Sequence, residues 1–359
     1  MRRLALLLGL ALSLAACADP LEGTAGRLVE ARVVRVLDAG ERPVAGASAQ
    51  LFQRLELELE GSLYRGDVIE LEWGGRRALN ANGLLAPGDR VLLTVVREGE
   101  ERQYAIQEVV RLPSLLPFAA LLLVVLLLVA RLKGAAALAG LAASVAVFLV
   151  AIVPAVRRGD DPLAATLVSS AVVLVLAVLV VHGLNRKSLA ALLGTLGGLA
   201  AVVALAAVAL PLAKITGLGT EEAIFLSVGS GGRIDMPRLV LAGVIVGSLG
   251  ALVDMAVGQA STTFELAAVD RALRGRRLYL SALNVGRDHI GSLINTLAFA
   301  YFGGALPLIV LLSLGFTPLA AALNSEEIVE SVIAVLVASA GLVLCVPLTT
   351  AVAVALARD

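Results

Sequence analysis

Asp254 carries the sharpest chemical question in this sequence. It stands in the apolar run Leu239–Gly258 with no charged neighbour. A carboxylate at membrane depth is destabilising by several kcal/mol unless it is paired or wetted, which makes such a residue a functional candidate by default. Its helical face is made of small residues: Gly243, Gly247, Gly250, Asp254, Gly258 and Ser261 follow at steps of three or four and share one stripe. Such a stripe predicts close helix–helix packing through Gly243, Gly247, Gly250 and Gly258. The plainer alternative is that Asp254, four residues from the end of the run, caps a helix or pairs with an arginine. A second set begins at Asn284-Val285-Gly286-Arg287-Asp288-His289 and runs into an apolar segment. Asp288, Ser292, Asn295, Phe299 and Phe302 share one face, and Asn295 lies where an amide needs a hydrogen-bond partner. If the two runs are antiparallel neighbours, Asp254, Asp288, Ser292, Asn295 and Thr296 line a small intramembrane polar site for a cation, a proton or a small solute. The competing reading is an interhelical hydrogen bond that only fixes packing.

Other polar groups point to less. His289, beside Arg287 and Asp288, reads as an interfacial histidine. Thr220-Glu221-Glu222 and Asn324-Ser325-Glu326-Glu327 read as helix starts, with acids at the positive end of the dipole. Together with Glu330 they would alternatively make an oxygen-lined cation entrance. Gly229-Ser230-Gly231-Gly232-Arg233 lacks the strand and the lysine of a phosphate-binding loop. Two cysteines and two histidines at these spacings suit no metal cluster, and no nucleophile–histidine–acid set can be assembled. The expectation is a non-enzyme, with no catalytic residue, no metal and no cofactor.

The elements that must hold these residues follow from composition. Of 359 residues, 59% are hydrophobic and 16% charged, and mean hydropathy is +0.93. A soluble domain has about one and a half times that share of charge, so the chain reads as an integral membrane protein. Lys+Arg and Asp+Glu are both 29, which argues against a nucleic-acid partner. Seven apolar runs, Leu112–Ala130, Gly134–Val153, Leu163–Gly183, Leu189–Leu212, Leu239–Gly258, Ile290–Leu314 and Ile328–Leu356, are near the length that crosses a bilayer as helix. Residues 112–359 are thus expected to form a seven-helix transmembrane domain. Phe264–Leu278, with Arg271, Arg274, Arg276 and Arg277, reads as an amphipathic helix on the inner leaflet.

Residues 1–17 resemble a signal segment: Arg2 and Arg3, then apolar Leu4–Ala16, then Leu14-Ala15-Ala16-Cys17. Cys17 is either lipidated after cleavage, or part of an uncleaved signal anchor. Residues 18–111 alternate in hydropathy. Val29–Val36, Leu51–Leu59, Asp67–Trp73, Arg90–Val96 and Tyr104–Val110 predict a small extracytoplasmic all-β domain, OB- or SH3-like. Loop arginines and lysines concentrate on one side of the seven runs, which places the β-domain outside and the C-terminus in the cytoplasm of a bacterial inner-membrane protein.

Asn284-Val285-Gly286-Arg287-Asp288, Asn295–Tyr301 and Leu306-Pro307-Leu308, with Gly247–Ala256 before them, resemble the YibE/F-like family of bacterial multispan membrane proteins. The resemblance implies an N-terminal hydrophobic segment, an extracytoplasmic domain and a multispan region, sometimes supposed to be a permease. It supplies no catalytic residues. A lipobox-like site in place of a full first span departs from the family pattern. Function is therefore expected to be passage of a small solute or ion through the bilayer. The alternative is a non-transporting envelope assembly protein whose β-domain binds an envelope protein partner.

Overall fold

Alternation of apolar and polar side chains builds the first part of the chain. In β1 (Arg27–Arg42) Val29, Ala31 and Val33 are buried, as are Leu55, Leu57 and Leu59 of β2 (Gln50–Leu59). Trp73 of β3 (Val68–Trp73) and Val91, Leu93 and Val95 of β4 (Arg90–Glu98) complete that face, with β5 (Glu101–Val109) at its side. The order is β3-β2-β1-β4-β5, antiparallel throughout. All five strands predicted from the sequence are present. The sheet is a half-barrel rather than a closed barrel: β3 and β5 are its edges, and no ladder joins them among the described residues. Register shifts in β1 after Val33 and Val36 bend it. Buried Gln53 ties the sheet to the following loop, donating to Leu85 O at 3.0 Å and accepting from Leu85 N at 2.7 Å. The computed structural model describes residues 27–43, 49–60, 66–74, 79–98, 101–315 and 318–357, so Cys17 and the signal-like segment lie outside the described residues.

The described residues divide into two compact units, one ending at Val125 and one beginning at Leu126. The remainder is helical: α1 (Leu112–Arg158), α2 (Pro162–His182), α3 (Arg186–Leu212), α4 (Glu221–Gly229), α5 (Met236–Val269), α6 (Gly275–Gly304), α7 (Leu306–Ser313), α8 (Leu319–Leu323) and α9 (Glu326–Leu356). α1 breaks at Arg131, where φ is 56° and ψ −139°, into two apolar stretches, Leu112–Arg131 and Gly134–Arg158. Among the described residues five helices, counting these two, are long and apolar enough to cross a membrane, or six if α6 and α7 form one bent span. The described apolar part of α2, Pro162–Val178, is shorter.

Two boundaries differ from the sequence reading. The amphipathic helix predicted over Phe264–Leu278 is not one element. α5 continues through Phe264 to Val269, because Gln259, Ala260 and Thr263 remain buried. The chain then turns at Asp270–Arg274 and restarts at Gly275, whose φ of +53° only glycine adopts freely. The run Ile290–Leu314 is also divided. α6 starts at Gly275 and stops at Gly304, and α7 leaves it at 61°. Pro307 cannot donate to the carbonyl four residues back, and Gly303-Gly304 offers little resistance to the bend.

The helical core is α9 against α3, α5 and α6, with α3 against α5. Its closest approach is made by glycines of α3 and α9. A Cβ at Gly194 would run into Thr349 Oγ1, and one at Gly341 into Val202 Cγ2. At Gly198 it would lie 2.9 Å from Cys345 Cβ. Helix ends are tied by polar contacts in two groups. At one end Arg238 pairs with Asp161, and Glu326 accepts from Thr216, Gly217 and Leu218. At the other, Lys187 Nζ meets Glu265 at 2.6 Å and Arg186 donates to Leu356 O at 3.3 Å. The ties make α3 antiparallel to α5 and α9.

Candidate functional site

The site grows from the geometry of α5. Ile245, Leu249, Leu252, Ala256 and Ala260 turn into the core. At 100° per residue, the opposite face is Gly243, Gly247, Gly250, Asp254 and Gly258, and all five are exposed. Nothing lies within 4 Å of a Cβ built at Gly243, Gly250 or Gly258, and at Gly247 the contact is Tyr301 Oη at 3.0 Å. The stripe is thus an open face. The tight glycine packing of this fold belongs to Gly194, Gly198, Gly341 and Gly286, where a Cβ would meet Gln259 Oε1 at 2.6 Å.

Two cavities flank that face. One, of about 420 Å³, is lined by Glu222 of α4, Gly243 and Val244 of α5, Tyr301 of α6, and Glu330 and Ser331 of α9. The other, of about 400 Å³, is lined by Ser144 and Phe148 of α1, Val173 of α2, and Gly250, Val253 and Asp254 of α5. From Gly243 to Asp254 the helix rises about 16 Å. Asp254 itself lies about 27 Å along the axis from Met236, at 1.5 Å per residue. Among the described residues neither Asp254 nor Glu330 has an ion pair or a hydrogen bond. No group of three metal-ligating side chains occurs among the described residues.

The five residues expected to share a polar site fall into two places. Asp254 faces α1 and α2. On α6, Gly286, Ile290, Leu293, Leu297 and Tyr301 turn toward α5 and α9, so Asp288, Ser292 and Asn295 stand on the outward side and are exposed. Thr296, also exposed, donates from Oγ1 to Ser292 O at 2.9 Å. None of these four lines either cavity. His289 Nδ1 lies 3.1 Å from Val285 O.

The acids at the helix starts have separate roles. Thr220 caps α4 by accepting from Ala223 N at 3.3 Å. Ser325 is the N-cap of α9 without a side-chain cap bond. The carboxylate of Glu326 accepts from Thr216 N at 2.7 Å, Gly217 N at 2.6 Å, Leu218 N at 3.3 Å and Thr216 Oγ1 at 2.8 Å. It clasps the α3–α4 loop, while Glu222 and Glu330 face the cavity. Sequence reasoning passed over Gln259, whose Nε2 donates to Ala282 O at 2.9 Å and Thr350 Oγ1 at 2.7 Å, joining α5, α6 and α9. Its signal was an amide one residue beyond the apolar run that holds Asp254.

Residues 118–359 match the model of a family described as YibE/F-like protein. No curated protein and no solved structure matches the chain.

Proposed function

The chain belongs to the YibE/F-like protein family, and from that premise we propose that it is a multi-pass membrane permease for a small ion or solute. The observation that carries this is the open face of α5, with Glu330 in the cavity at one end and Asp254 in the cavity at the other. A helical carbonyl keeps one free lone pair after its backbone bond, and glycine leaves that oxygen uncovered. A path of carbonyl oxygens between two carboxylates favours a cation or a cation-coupled solute. Tyr301, against Gly247, lines the cavity that holds Glu330.

In this reading the two halves of α1, α2, α3, α5, the α6–α7 pair and α9 make seven spans in the inner membrane. The turn carrying Arg271 and Arg274, the start of α6 with Arg276 and Arg277, and the C-terminus lie in the cytoplasm, and the β-domain lies outside. Cys17 is either lipidated or part of a signal anchor. No enzymatic step is assigned.

The test is flux into proteoliposomes under an imposed cation gradient. Asp254→Asn, incorporated at the same density as the native chain, is expected to lose at least tenfold in rate. Normal flux from that variant would remove Asp254 from the path. A second reading has the half-barrel binding an envelope protein partner, since Leu28 and Val96 stand 61% and 48% exposed on it. It predicts that the β-domain fused to an unrelated span restores the native phenotype, which a permease would not allow.

A further inference from the structure

We infer that α6 is a self-association helix, and that a second copy of this chain covers its outward face. The inference rests on the membrane reading above.

The face has a seam's spacing. Ser281, Asn284, Asp288, Gly291, Asn295, Ala298 and Phe302 follow at alternating steps of three and four, the 3.5-residue period of helices that pair side by side. From Asn284 to Asn295 the chain's own helices do not use it, whereas Ala298 and Phe302 line a groove shared with α7, α8 and α9. Leu278, Ala282 and Gly286 are the buried residues of α6 and face the other way. Asn284, Asp288, Gly291, Asn295 and Phe302 are exposed, and nothing lies within 4 Å of a Cβ at Gly291.

The chemistry of the seam selects the occupant. Asn295 lies about 13 Å along the axis from Gly286, at 1.5 Å per residue. Gly286 packs on Val346, toward the Leu356 end of α9. Asn295 is therefore well within the apolar length of the bundle, where hydrocarbon offers an amide no hydrogen bond. An asparagine is both donor and acceptor, so two copies of Asn295 satisfy each other across a two-fold axis. A single asparagine in such a seam also fixes register and the number of chains. Gly291, one turn away, permits close approach. Nearer the Gly275 end, Arg287 precedes Asp288. In a parallel pair the residue before a seam position flanks that position on the other helix, so Arg287 of each copy opposes Asp288 of the other. The same axis brings the two Asp288 carboxylates together, and the flanking Arg287 of each copy balances their charge. The seam is thus complementary to itself in hydrogen bonding and shape.

The experiment uses the full chain in native membranes. Carbonate extraction first establishes membrane integration. Gly291→Cys and Asn295→Cys are then oxidised with copper phenanthroline, alongside Leu205→Cys, an exposed control on α3. A disulfide-linked dimer from the two seam positions and not from position 205 is expected. In nanodiscs the native chain should have the mass of two copies, and Asn295→Leu should dimerise about tenfold more weakly, the effect of losing a pair of interhelical hydrogen bonds. A membrane-integrated chain of single-copy mass, alone or with a different chain attached, would overturn the inference and leave the membrane reading intact. So would equal cross-linking at position 205. A chain released by carbonate would overturn the membrane reading itself, and the seam with it.

Discussion

One methyl group separates the two kinds of glycine in this helical bundle. At Gly194 an added Cβ collides with Thr349, whose own Oγ1 is held by Cys345 O at 2.8 Å. Gly194→Ala should therefore destabilise the bundle by about 1–3 kcal/mol, the usual range for overpacking. At Gly250 the same change meets open space, and alanine is favoured over glycine in a helix by up to about 1 kcal/mol. Gly250→Ala should leave the melting temperature unchanged or raised. Thermal unfolding in detergent compares the two, and a larger loss from Gly250→Ala would mean the α5 face is packed. Asp254 was legible in the sequence because a lone carboxylate in an apolar run has few explanations. Gly194 and Gln259 were not, since their partners Thr349 and Thr350 lie far along the chain and only packing joins them. The spacing of small residues on α5 predicts close packing through one face, and that face is open. Periodicity shows which residues share a face, but not whether anything is opposite it.

At the scale of elements, ends proved harder to read than middles. The α5 and α6 boundaries slipped because hydropathy marks where apolar side chains stop, whereas a helix stops where its backbone must turn: Asp270–Arg274 in one case, Gly303 to Pro307 in the other. β2, β3 and β4 were legible to within two residues, because their alternation is bounded by turn residues such as Pro87-Gly88-Asp89, whereas β1 runs six residues further than expected, to Arg42, and β5 starts three residues earlier, at Glu101. One joint between elements lends itself to measurement. Three backbone N–H groups of the α3–α4 loop depend on the Glu326 carboxylate. Glu326→Ala leaves them to water and should cost about 1–2 kcal/mol. Its clearest sign should be faster amide exchange at Thr216, Gly217 and Leu218 than in the native chain, with the α5–α9 core unaffected. Unchanged exchange there would show that the clasp is dispensable.

For the whole molecule, the tied helix ends make sidedness a single choice. Val228 of α4 is 74% exposed at the end that holds Arg238 and Glu326, and Ala272 is exposed in the turn at the other. The concentration of arginine in that turn predicts that Val228→Cys reacts with an impermeant maleimide in intact cells, and Ala272→Cys only after permeabilisation. The reverse pattern would invert the protein. The half-barrel and the helical bundle could be told apart in the sequence by composition alone, but the central place of α9 could not, because its hydropathy differs little from that of the barely buried α1. That central place has a consequence for biosynthesis. α3, α5 and α6 all pack on α9, yet all three leave the ribosome before it. Until it arrives, the glycines of α3 face an unfilled groove, Gln259 waits in the membrane for Thr350, and the α3–α4 loop has no carboxylate to hold. The bundle therefore closes in one late step, and a chain interrupted at Asn324 should be cleared by proteolysis while one carrying α9 persists, a difference that pulse-chase labelling would reveal.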